Sequence, residues 1–227
     1  GGLNVSAGSF TSNAVTTVSA GGVTVSGGVA TLNSASTIAG GITVTGGTGA
    51  FNAANTVSGA VSASGGGTIS LGDTGGVGSG SISLDNGGLT STLVAPTIAN
   101  AIALGSGGGT ISGANPLTLS GAITGPGTLT KTGPGELTVS GSLGTSATGV
   151  AVSVGPGAAA RLTGSATKWL STTATGTVNG SLTLDNANLV LKSGTVLTGT
   201  GTIALVGANT LTGTTTSVST ITTPISG

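Results

Sequence analysis

Short runs in which apolar and polar residues alternate recur along the whole chain. Examples are VTVSGG from Val23, ITVTGG from Ile42, TISLGD from Thr68, SISLD from Ser81, LTLSG from Leu117, LTVSG from Leu137 and LTLDN from Leu182. Alternation with a period of two marks a strand with one buried face, and the Gly, Asn or Asp that closes each run marks a turn. Helix signals are nearly absent. Gly is frequent and β-branched residues dominate, so few windows are long enough and good enough to propagate a helix.

The runs return at a regular spacing. VTVSGGVATLNSASTIAGG from Val23 aligns with ITVTGGTGAFNAANTVSGA from Ile42 at a period of nineteen residues. Val23 and Val25 fall on Ile42 and Val44, Leu32 on Phe51, Asn33 on Asn52, and Ile38 on Val57. One step earlier the period is twenty, with Asn13 before Asn33 and Val18 before Ile38; one step later VSASGG from Val61 continues the first run. A period near twenty, made of short strands without helices, predicts a solenoid in which each strand stacks on its copy in the next coil. The reading is therefore all-β: a parallel β-helix of about 19–21 residues per coil and roughly eleven coils over the 227 residues. Such a rod is about 50 Å long at the strand spacing. Residues 1–227 read as a single domain, with a loop or seam expected near 155–169, where GPGAAARLTGSATKW breaks the rhythm. Asn13, Asn33 and Asn52 are expected to stack at one corner as a structural amide ladder.

Composition sharpens this picture. Only 4% of residues are charged, 1% are aromatic and 47 are Gly, while 36% are hydrophobic. The ordered apolar content argues against a disordered chain. A parallel ladder satisfies backbone groups without ions, so stability is expected to depend weakly on pH and salt. A charge placed at inward Val44 would have no partner. Four bases and four acids give a formal net charge of zero, which leaves no basic patch for nucleic acid. A neutral surface also favours self-association. The longest apolar run, LVAPTIANAIAL from Leu93, is interrupted by Pro96 and Asn100 and is too short to cross a bilayer. The chain begins GGLNVSAG, with neither Met nor a signal peptide, and reads as a processed protein or part of one.

The stretch GPGTLTKTGPGELTVSG, from Gly125 to Gly141, nearly repeats itself after eight residues. It resembles the passenger-associated strand repeat of bacterial autotransporters and related surface proteins. Gly125, Gly127, Leu129, Thr130, Lys131, Gly133, Gly135, Leu137, Thr138, Ser140 and Gly141 match that repeat. Glu136 replaces its usual Thr, and Val139 a common Leu. The usual downstream half is missing after Gly141, and a similar half appears as GANTLTGTTTSV from Gly207, with Leu211 in place of Tyr. The resemblance implies a right-handed parallel β-helix exposed outside a bacterial cell, and no particular activity. On this reading Leu129 and Leu137 point inward, Pro126 and Pro134 shape corners beside glycines of positive φ, and Lys131 sits at a bend with its ammonium in water.

The chemistry available is sparse. Without His or Cys there is no Ser-His-Asp or Cys-His arrangement, no thiolate metal site and no disulfide. The acids are Asp73, Asp85, Glu136 and Asp185; with Lys131, Arg161 and Lys168 they show no spacing that suggests a catalytic pair. GGVGSG from Gly75 resembles one copy of a calcium-roll loop, with Gly80 where the Asp belongs, and supplies too few oxygens. The expectation is no enzyme, cofactor or metal. If Val23 and Val25 face inward, Thr24 and Ser26 face outward, followed by Thr43 and Thr45, then Ser62 and Ser64, with Asn4 and Ser6 before them. These rows resemble the ice-contacting faces of antifreeze β-solenoids.

Two function classes follow. The first is an extracellular bacterial structural rod that joins head-to-tail through uncapped end strands into a fibre or surface layer, with an adhesive role open to it. The second is an ice- or polysaccharide-binding module that uses the outward Thr and Ser rows.

Overall fold

The computed structural model describes residues 1–170, 175–213, 220–221 and 225–226. No helix occurs among them; strand follows strand, and every pairing is parallel. The first turn consists of Leu3–Val5, Ser9–Ser12 and Thr17–Val18, the second of Val23–Val25, Val29–Leu32 and Thr37–Ile38, and the third of Ile42–Val44, Thr48–Phe51 and Thr56–Val57. Each strand pairs with its equivalent one turn away, so the chain winds as a β-solenoid of about ten turns.

The register is the one the repeat predicts. Val23 pairs with Ile42, Thr24 with Thr43 and Val25 with Val44. The inward columns then run Val23–Ile42–Val61–Ile82–Ile102–Ile123 and Val25–Val44–Ala63–Leu84–Leu104. All of these side chains are buried, and Val44 and Phe51 have no exposed surface. Side-chain volumes are matched within a layer. Gly49 occupies an inward position beside Phe51, where a Cβ would stand 2.9 Å from the aromatic ring.

Three sheets wall the core. The first runs without a break from Leu3–Val5 to Ile123–Thr124, then through isolated bridges from Leu143 to Ile123 and Lys168 on to Thr167–Leu170. The second has eight strands, from Ser9–Ser12 to Ala151–Val154. The third is interrupted: Thr17–Val18, Thr37–Ile38 and Thr56–Val57 form one ladder, and a new ladder starts at Thr97–Ile98. Between them the GDTGGVGSG segment from Gly72 forms turns in place of a strand, while Val77 is fully buried and keeps the core filled.

The irregular turn lies earlier than the 155–169 stretch. That stretch contributes the regular strands Ala159–Thr163 and Thr167–Leu170. The departure is at residues 144–149, where the first-sheet strand shrinks to the Leu143 bridge and a loop leaves the wall. Lys192 holds that loop through Nζ, donating to Ser146 O at 2.8 Å and Ala147 O at 2.6 Å.

Candidate functional site

The outward row predicted on the first sheet is present in register. Asn4, Thr24, Thr43, Ser62, Ser83, Ala103 and Thr124 are successive partners. Thr24, Thr43 and Ser62 are half-buried by their neighbours in the row. Ser26 and Thr45 lie one residue beyond the paired strands and are exposed at the corner. Ser64 is still within its strand, and its partner on the next turn is Asp85. The two-abreast pattern of hydroxyls on this face therefore ends at a carboxylate.

The second sheet carries a longer pattern that the sequence reading missed. One outward row is Ser9, Val29, Thr48, Thr68, Gly88, Thr110, Thr130 and Ser153; the row beside it is Thr11, Thr31, Ala50, Ser70, Thr90 and Ser112. The signal was legible as recurring Thr or Ser at alternate positions in SFTS, TISL, GTIS and TLTK. Changing turn lengths hid it, since Thr90 follows Ser70 by twenty residues and Ser112 follows Thr90 by twenty-two.

The amide ladder also forms. Asn33 Nδ2 donates to Asn13 Oδ1 at 2.7 Å, and Asn52 Nδ2 donates to Asn33 Oδ1 at 2.8 Å. It stops at the next turn, where Gly72 stands against the Asn52 side chain. A second, buried polar stack was not anticipated. Asn55 Oδ1 accepts from Ser36 N at 2.8 Å, while its Nδ2 donates to Ala53 O and Gly76 O.

In the repeat-like segment, Leu129 and Leu137 are buried on successive strands, and Thr130 and Thr138 face out. Gly125 and Gly133 have φ of 119° and 75°, beside exposed Pro126 and Pro134. At Gly127 the neighbouring turn approaches so closely that a Cβ would lie 2.0 Å from Gly105 O. Gly135 and Gly141 are equally crowded, by Asn115 O and Gly121 O. Lys131 corrects the expectation of a solvated ammonium. It is 3% exposed, and its Nζ donates to Thr132 O and Gly133 O. Its strand alternates Leu129 in, Thr130 out, Lys131 in, and that alternation prevails over the preference of a charge for water. The C-terminal match, GANTLTGTTTSV, extends past Gly213 beyond the described residues.

The charges are spent within the molecule. Arg161 Nε meets Glu136 Oε1 at 3.2 Å and Arg161 Nη1 meets Asp185 Oδ2 at 2.9 Å, so one guanidinium ties three turns of the third sheet. The Glu136 hydrogen bond, then the Asp185 hydrogen bond, raise the Arg161 pKa. Lys168 is fully buried and donates to Thr163 O at 2.9 Å and Ala166 O at 2.7 Å; burial pushes its pKa down to about 8. Burial lowers Lys131 as well. With Lys192 on the 144–149 loop, all four cations have internal partners. Asp73 Oδ1 accepts from Gly75 N and Asp85 Oδ1 from Gly107 N, both at 2.7 Å, so each carboxylate caps a turn. Among the described residues no three Asp, Glu, His or Cys side chains gather as a metal site, and no helix is long and apolar enough to cross a membrane.

Large apolar side chains are exposed at several places among the described residues: Val94, at 84%, and Val15 and Val29 lie along the rod. Leu205, Val206, Leu211 and Ile225 are 43–57% exposed on the outermost described turns. No family model matches the chain, and no curated protein or solved structure is significantly similar to it.

Proposed function

We propose that the chain is a non-enzymatic structural rod, displayed outside a bacterial cell, that joins copies of itself end to end into a fibre or layer and has an adhesive role open to it. The observation that carries this reading is the group of exposed apolar side chains on the last described turns. The hydroxyl rows and the internally held cations leave the sides close to neutral, with Val29 and Val94 exposed singly on them, and the last described turns expose four large apolar side chains together, Leu205, Val206, Leu211 and Ile225. An open strand edge beside apolar side chains is a template for another strand, and contact between unlike ends propagates as an open filament. The resemblance of GPGTLTKTGPGELTVSG to the passenger repeat supports the bacterial surface setting. Negative-stain electron microscopy with light scattering tests the proposal. Filaments of uniform width that lengthen with concentration are expected, and separate short rods at high concentration would refute it.

The in-register hydroxyl rows favour a second reading, in which a side face binds ice or polysaccharide. Replacing Thr24 and Thr43 by Lys, or Thr31 and Thr90 by Lys on the second sheet, should then abolish binding without unfolding the rod. Binding that survives both pairs would remove the rows from consideration.

A further inference from the structure

The break in the third sheet leaves a notch with unmatched hydrogen-bonding groups. Thr56 N donates down to Ser36 O and Ser58 N to Ile38 O, so the ladder alternation turns the peptide groups of Val57 upward, toward the missing strand. On the far side, Thr118 N donates to Pro96 O and Ser120 N to Ile98 O, which turns the peptide groups of Thr97 and Ala99 downward. The N–H groups of Val57, Thr97 and Ala99 make no bond across the gap to any described residue. Between these walls lies a cavity of about 520 Å³, lined by these strands, by Ser79 of the intervening loop and by Asn100. Asn100 is 6% exposed. Its Nδ2 is used by Gly78 O at 3.0 Å and Gly80 O at 2.6 Å, but its Oδ1 accepts from no described residue.

The chemistry of the walls selects the occupant. An anion would find no cation, because Lys131, Arg161, Lys168 and Lys192 are all engaged elsewhere. A metal ion would find only Asp73, whose Oδ1 already accepts from Gly75 N. An apolar ligand would cover backbone groups without satisfying them, which costs about 1–3 kcal/mol for each one left unmatched. An extended peptide would need the whole strand position. The loop backbone already crosses it, with Gly75 O accepting from Asn55 N at 3.0 Å and Gly76 O from Asn55 Nδ2 at 2.6 Å. What fits is compact, uncharged and able both to donate and to accept. We propose that this notch binds one or two residues of a neutral glycan, whose hydroxyls pair with the Thr97 and Ala99 amides and the Asn100 carboxamide. The size lies within the usual range for small-ligand sites. The site is separate from the hydroxyl rows and does not depend on whether rods join end to end.

The test is a titration of the ¹⁵N-labelled chain with cellobiose, maltose and N,N′-diacetylchitobiose, followed through the backbone amides of Val57, Thr97 and Ala99 and the Asn100 side-chain amide. At least one sugar should shift these signals saturably. Ser79→Leu, which fills the notch, should weaken that binding by roughly tenfold or more, while Thr148→Lys on the 144–149 loop leaves it unchanged. Ala99→Pro, which removes one of the proposed amide donors at a position where no ladder bond is lost, is the second variant should Ser79→Leu disturb the fold. No shift with any of the three sugars overturns the proposal, as does binding that survives both notch variants. Shifts produced only by an uncharged tetrapeptide would also overturn it, assigning the notch to a peptide.

Discussion

Lys168 is the residue at which the charge-poor account of stability acquires a pH dependence. Its ammonium is fully buried, with two carbonyl acceptors and no carboxylate partner, and burial lowers its pKa from 10.5 to about 8. Between those values the unfolded chain holds a proton that the folded chain has released, so stability rises with pH across that window. Below about 8 both states are protonated and the penalty of the buried charge is fully present. The span corresponds to about 3 kcal/mol, and Lys131, lowered in the same direction, adds to it. The chain has no Tyr, Cys or His, so apart from its amines no side chain titrates there. The urea midpoint is therefore expected to climb from pH 7.5 to pH 10.5, and Lys168→Met should flatten most of that climb. A wild-type midpoint that stays level would show that water reaches this ammonium. Both buried lysines were legible in the alternation itself, since Lys131 stands two residues from Leu129 and Lys168 two from Leu170. The expectation that a lone charge seeks water hid what the period already said.

At the scale of strands and corners, close approach between turns matters more than side-chain hydrogen bonds. Gly127→Ala would drive a Cβ to 2.0 Å from Gly105 O and 2.6 Å from Gly108 Cα, both backbone atoms that cannot swing aside. A loss of about 2–3 kcal/mol is expected. Gly80→Ala meets nothing within 4 Å and should stay within about 0.5 kcal/mol of the parent. Asn33→Ala breaks two bonds of an exposed ladder and should cost about 1 kcal/mol. Equilibrium denaturation of the three variants checks the order; an Asn33→Ala loss larger than that of Gly127→Ala would reverse the argument. The strand columns and the Asn ladder were readable because a fixed period carries both register and inward direction. Thr24 aligned with Thr43 and Ser62 for that reason. The second-sheet rows and the notch were not readable. Both arise where turn length changes, and the GDTGGVGSG segment keeps the core filled with Val77 while abandoning the strand. Glycine-rich sequence signals a turn but not which of three walls it will open.

Over the whole molecule, stability is distributed as a sum of neighbouring turns, so each interior turn is held from both sides and an outermost one from a single side. Fraying from the ends is then the lowest-energy opening, and backbone amides should exchange fastest there and slowest in the middle. End-to-end association changes that profile in a specific way. A second copy seated on Leu205, Val206, Leu211 and Ile225 would supply the missing neighbour, converting an outer turn into an interior one. Hydrogen exchange measured from low to high protein concentration should therefore show protection rising in Leu3–Val5 and Thr210–Gly213 while Ile82–Asp85 and Ile102–Leu104 remain unchanged. Leu211→Glu, at a side chain 57% exposed, puts an unpaired charge in that contact and should abolish the concentration dependence without altering exchange in the middle turns. Protection that rises uniformly along the rod would point to side-by-side packing of the neutral faces, and protection independent of concentration would leave the solenoid a solitary rod whose function lies on its sides.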